Sequence, residues 1–407
     1  MGESDRHFLE RTRGKLDLAI GLLIGMGGFA ELTIIGMITW IIKEIKQYPA
    51  YQGKNSWPKD LVAANIGILL ILYWNYVDPV HLSSWDIFTN GPKYCHVNSI
   101  LSLTWKEGAK AICFTLFALV CNHTEISRLR KLMKNIALGF LLYVIPTVTG
   151  SLLLQGFRMG GNKLYNIFTN DLSAQSTTTG YLVIMAIAIL VATKSRLVYP
   201  VIALGFISGV QASDKGVLLI SFSALMYLCG SKLLENKLAI TKYREIAQWS
   251  VVGLLGTIVS ITIRYGSNFQ NYVLIALGER YTLYIKGYGK LIEYLAEPSN
   301  NIYADVGIRH WWHSVPLDAI RAAGLIGAIT SFLWLGIIVL CAIVFCVRND
   351  YQLVFLSLAV LFIYMTSLPL HTGAYEFMGL ATGTILMINE LWKNQLQVTL
   401  NSQKHFR

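Results

Sequence analysis

Long apolar runs alternate with short, mostly basic intervals along nearly the whole chain. That alternation predicts an all-α, polytopic membrane helix bundle. Leu18 to Ile42 is the first run, broken by Gly25, Gly27 and Gly28 and by Glu31. Lys15 precedes it and Lys43, Lys46, Lys54 and Lys59 follow it. Basic flanks on the same side require two crossings, so a pair of helices turning near the glycines is preferred to one long helix. Leu61 to Val77 is the next span, Asp78 to Trp105 an external loop, and Gly108 to Cys121 the return. Arg128, Arg130, Lys131 and Lys134 mark a basic internal loop, Ile136 to Leu154 goes outward, and Gly156 to Thr178 is external. Gly180 to Thr193 comes inward, Leu197 to Val210 goes outward to the turn Gln211–Gly216, and Val217 to Leu228 comes inward again. A basic loop (Lys232, Lys237, Lys242, Arg244) then leads to Ala247–Ile263.

The longest polar interval follows, from Arg264 to about Arg321, and the apolar run Leu325–Val347 begins at its end. Tyr351–Leu368 and Met378–Trp392 complete the set, and Lys393, Lys404 and Arg407 close the chain. The pattern predicts about 12 transmembrane helices, cytosolic termini and one large external loop between the late helices. The chain thus divides into N-terminal helices (1–263), the large loop (264–322), and C-terminal helices with a tail (323–407).

Composition agrees. Only 14% of residues are charged and 54% are hydrophobic, with mean hydropathy +0.50, whereas soluble domains carry about 25% charged residues. The net charge of +11 sits largely in short loops, where topology and anionic lipid headgroups account for it. Nucleic acid is therefore not an expected partner; membrane lipids are. The six cysteines form no CxxC pair, which argues against a zinc site or a disulfide framework. Met1 to Lys15 mixes Arg6, Arg11 and Arg13 with Glu3, Asp5 and Glu10 and reads as a charged cytosolic flank, not a cleavable signal.

Three positions on the external face carry candidate chemistry. Lys215 stands beside Asp214 in a tight turn, Arg280 lies within the large loop, and His313 ends that loop. Cations at the mouth of a helix bundle clamp a phosphate at headgroup depth, and histidine has the pKa for proton removal near neutrality. Arg158, Arg264, Arg309, His310 and Trp312 are the external groups expected to contact substrate. Each residue also has a plain reading. Lys215 is a snorkelling lysine or a partner for Asp214, Arg280 a solvated charge, and His313 a cap or interfacial histidine. Trp311 and Trp312 fit an aromatic belt better than a sugar platform. Gly324 and Gly327, 11 and 14 positions after His313, fit close helix packing. The co-location of the set outside the membrane is what favours a site.

His313, Gly324 and Gly327, Arg280 in Gly278-Glu-Arg-Tyr-Thr-Leu-Tyr284, and the turn Ser213-Asp-Lys215-Gly216 together resemble the O-antigen ligase and polymerase superfamily of bacterial inner-membrane glycosyltransferases. Two departures are visible: Ser314 stands where the family has asparagine, and Lys215 where it has arginine. The second keeps the charge and loses the bidentate fork. The resemblance implies a periplasm-facing transferase that moves a glycan from undecaprenyl pyrophosphate to a lipid A-core hydroxyl, as a ligase, or onto another lipid-linked repeat, as a polymerase. On this reading His313 is the general base, and Arg280 and Lys215 hold the pyrophosphate. No metal or cofactor is expected, because the cations take a metal's place and the external carboxylates are scattered. The competing class is a multi-helix transporter, which needs polar groups at mid-membrane on broken helices; Glu31 and Asn65 are among the few candidates.

Overall fold

The computed structural model describes residues 3–26, 30–47, 57–76, 112–156, 164, 176–212, 214–237, 287, 289–297, 314–366 and 378–392. Among them there is helix and turn and no strand. The helices are α1 (Glu3–Gly25), α2 (Ala30–Gln47), α3 (Trp57–Tyr76), α4 (Ile112–His123), α5 (Ile126–Gln155) and α6 (Ser176–Ala192). They continue with α7 (Val198–Ala212), α8 (Lys215–Lys237), α9 (Leu291–Ala296), α10 (Val315–Val347), α11 (Tyr351–Thr366) and α12 (378–392).

α6 and α12 form the centre. From Thr179 to Ala192 every side chain of α6 is buried, and α12 is buried from Met378 to Leu391. A helix that is apolar on all sides belongs inside other helices. α5, α7, α8 and α11 surround α6, and Gly379 and Gly383 let α12 close on Met185 of α6. The outer helices turn apolar side chains outward instead. Leu325, Ile329, Phe332, Leu340 and Ile343 of α10 are exposed, as are Leu142, Ile145 and Leu153 of α5. Two segments are long and apolar enough to cross a membrane, Ile126–Gln155 and Ala323–Val347.

One end of the bundle is held by charge. Arg130 donates to both carboxylate oxygens of Glu390, and Arg128 pairs with Glu44 at 2.7 Å. Lys59 donates to the Asn122 carbonyl (2.5 Å) and to Asn389 (3.2 Å). His123 faces Asp60 at 3.4 Å, and Arg348 donates to the Leu391 carbonyl. These groups tie α2, α3, α4, α5 and α12 together. They gather the ends of these helices at one end of the bundle.

Two expectations need adjusting. The basic stretch Arg128–Lys134 is helix, not loop: it forms the first turns of α5, which begins at Ile126. Its cations lie along a helix whose apolar part starts only at Ile136, so charge marks the start of the apolar stretch and not the helix end. Likewise, the last residues assigned to the large loop, Val315 to Arg321, are helical and open α10.

Candidate functional site

Of the residues singled out in the sequence, His313, Arg280, Arg264, Arg309, His310, Trp312 and Arg158 lie outside the described residues. Lys215 is placed by its backbone as the first residue of α8. The frame that would hold them is described, at the end of the bundle opposite the charge network.

The first part of that frame is the start of α10. Ser314 is extended (φ −149°, ψ 121°) and stands at the N-cap position without a side-chain capping bond. Its N–H points to the Asp318 carboxylate at 3.4 Å, while its hydroxyl is buried with no hydrogen-bond partner. Asp318 and Arg321 follow on the same face, 3.9 Å apart, with side chains 3% and 2% exposed. An acid in the first turn suits the helix dipole, and arginine is almost never buried to this extent unless paired.

At Gly324 the helix breaks. The residue has φ 55° and ψ −133°, a conformation reserved for glycine. The chain then turns back on itself: a Cβ on Gly327 would overlap the Ala319 carbonyl. In a straight helix these residues would be separated by about 12 Å along the axis. Leu317 and Ile320 before the bend and Ala328 after it share one small core with Tyr294 of α9. Tyr294 of α9 thus packs against both sides of the bend.

The second part is the turn between α7 and α8. Asp214 Oδ1 accepts the Gly216 and Val217 N–H groups at 2.9 and 3.1 Å and caps α8. Its Oδ2 lies where a side chain on Gly180 of α6 would stand. Asp214 is therefore an N-cap, and its carboxylate is directed to the helix end beside Lys215.

α11 connects the two parts. The Phe362 ring packs on Gly216, and the Tyr364 hydroxyl donates to the Ser331 carbonyl of α10 at 2.7 Å. Close by, Tyr181 of α6 donates to the Thr366 carbonyl at 2.5 Å. The tip of α11 thus touches the turn before α8 at Gly216 and α10 at Ser331, just past its bend.

Sequence reading missed three buried polar groups at this end. Gln211, in the last turn of α7, is 2% exposed, and neither its amide nitrogen nor its oxygen has a partner. The Thr179 hydroxyl on α6 and the Ser314 hydroxyl are buried and unpartnered as well. Each such group costs about 1–3 kcal/mol, so each calls for an explanation. Gln211, four positions before Lys215, reads in the sequence as the first residue of a turn, which hides its burial. Among the described residues no group of three or more His, Cys, Asp or Glu side chains is arranged to hold a metal.

No family model matches the chain, and no curated protein matches it either.

Proposed function

We propose that this chain is a periplasm-facing glycosyltransferase of the bacterial inner membrane. On this reading it transfers O-antigen polysaccharide from undecaprenyl pyrophosphate to a lipid A-core hydroxyl. His313 takes the proton from the acceptor hydroxyl. The acceptor oxygen bonds to the anomeric carbon as the carbon–oxygen bond to pyrophosphate breaks, and undecaprenyl pyrophosphate departs with the bonding pair. Arg280 and Lys215 stabilise that charge, and attack opposite the leaving group inverts the anomeric centre. Arg158, Arg264, Arg309, His310 and Trp312 bind the remainder of the two substrates. The bundle has about 12 spans in this reading, with the charge network on the cytosolic side and the loop 264–322 outside.

One observation supports this most: α11 packs Phe362 on Gly216, beside Lys215, and bonds through Tyr364 to Ser331 of α10, seven residues past its bend. A base and a phosphate clamp need that proximity, and the sequence separates them widely. The Asn65 amide donates to the Thr330 carbonyl at 2.9 Å and braces α3 against α10.

The test is product identity. Purified protein in vesicles is given undecaprenyl-pyrophosphate-linked glycan and lipid A-core. A glycan ladder on lipid A-core is expected. Longer lipid-linked chains without that ladder make the chain a polymerase, and the absence of both products returns the transporter reading.

A further inference from the structure

α1 and α2 form the helix pair expected from the glycine cluster, but their depth in the bundle is not that of two crossings. α1 runs parallel to α5 and in register with it. A Cβ on Gly14 would lie 3.6 Å from Lys131 Nζ. Asn135 donates its amide to the Asp17 carbonyl at 3.2 Å, Gly21 packs on Asn135, and Gly25 packs on Gly139. α2 returns antiparallel: Thr33 donates to the Ile24 carbonyl (3.2 Å), Gly36 packs on Leu23 and Ile24, and Lys43 pairs with Asp17. The far end of α1, at Gly25, is therefore level with Gly139.

α5 calibrates that depth. Its last cation before the apolar part is Lys134, and it continues from Gly139 to Gln155, about 24 Å further at 1.5 Å per residue. Measured from Lys134, the end of α1 lies only about 8 Å into a hydrocarbon layer about 30 Å thick. Length agrees, because the apolar parts of α1 and α2 are each shorter than the roughly 20 residues of a crossing.

The surface of the pair fits the same depth. Ile35, Ile38 and Ile42 are exposed on one stripe of α2, and Leu18 is exposed on α1. Lys15 and Lys46 are exposed at the open end, and Arg6, Arg11 and Arg13 precede Lys15 in the sequence. An apolar stripe below a basic rim matches acyl chains below anionic headgroups.

We infer that residues 17–43 form a re-entrant helical hairpin that enters only the basic-flanked, cytosolic leaflet and returns, with the Ile35–Ile38–Ile42 stripe among its acyl chains. Both flanks stay on one side, as two crossings would also require, so the sidedness of every later helix is unchanged while the number of spans falls by two. The inference is independent of whether the bundle is an enzyme or a transporter.

The test uses full-length protein with its native cysteines replaced by serine and single cysteines at Met26, Lys46 or Leu154, in right-side-out and inverted vesicles. The probe is a membrane-impermeant maleimide. Lys46→Cys is expected to label from the cytosolic side only, Leu154→Cys from the opposite side only, and Met26→Cys from neither. Labelling of Met26→Cys from the Leu154 side would mean a full crossing, and labelling from the Lys46 side would put the pair outside the bilayer; either overturns the hairpin. A second reading uses Ile35→Cys carrying a fluorophore, with nitroxide lipids confined to one leaflet. Quenching from the cytosolic leaflet alone is expected, and equal quenching from both leaflets overturns the proposal even if the Met26 variant fails to fold.

Discussion

Gly327 lies directly on the Ala319 carbonyl, with no room for a Cβ between them, because the chain reverses at Gly324. The spacing that marks this segment in the sequence therefore has a structural content: one glycine makes the bend and the other closes it. Gly327→Ala places a methyl on backbone that has no flexible side chain to yield, and overpacking of that kind costs about 1–3 kcal/mol. Gly324→Ala strains φ 55° by a similar amount, about 1–3 kcal/mol. Both variants are expected to melt earlier in detergent and to lose transfer activity. A Gly327→Ala protein with unchanged melting temperature would contradict the close contact.

Gln211 separates stability from function. Gln211→Leu keeps the volume and removes two buried, unsatisfied groups, so the variant is expected to be more stable by about 1 kcal/mol. If the amide serves substrate, transfer falls about tenfold or more in the same variant. Thermal unfolding and initial rates on one preparation check both. A more stable protein with full activity would remove Gln211 from the site.

At the other end, Arg130 and Glu390 bring α5 to the last helix. Glu390 is 4% exposed and Arg130 41%, so solvent screens the cation while the carboxylate is dry. A double-mutant cycle with Arg130→Met and Glu390→Gln is expected to give a coupling of about 1–2 kcal/mol, between the values for surface and buried pairs. Turnover per folded molecule should not change. Coupling near zero would mean that the pair does not fasten the helices.

Glu44 makes a pH prediction. Burial pushes its carboxyl above the ordinary value of 4.5, against the opposing pull of the Arg128 guanidinium, Lys43 and the Thr124 hydroxyl. A group whose folded pKa is raised binds its proton more readily when folded. Its contribution is fully present below the unfolded value and is lost as pH rises through the folded one. Thermal stability should therefore decline across the range just above the ordinary glutamate pKa, and Glu44→Gln should flatten that decline. An unaltered slope in Glu44→Gln would assign it to another group.

Much of the scaffold was legible in sequence because apolar runs and cations are local signals. The span read as Tyr351–Leu368 is the helix Tyr351–Thr366, and the Gly25–Gly28 cluster marks the break between α1 and α2. Depth was not legible. That Gly25 stops level with Gly139 depends on a packing register between helices more than a hundred residues apart, which no periodicity encodes. The reversal at Gly324 was hidden for a related reason, since a glycine pair spaced for helix packing reads the same whether it packs a neighbour or its own helix. Gln211 and the Asp318–Arg321 pair were passed over because burial, and not residue type, is what makes them unusual.

The most direct test compares initial transfer rates of the wild type, His313→Ala, Lys215→Ala and Lys215→Arg in vesicles with both substrates present and equal amounts of folded protein. Loss of a general base costs about 10²–10⁴-fold; loss of a charged phosphate contact costs about 10–100-fold. His313→Ala is predicted to fall in the first range, Lys215→Ala in the second, and Lys215→Arg to retain or exceed wild-type rate. Transfer by His313→Ala at the wild-type rate would contradict the account at its centre.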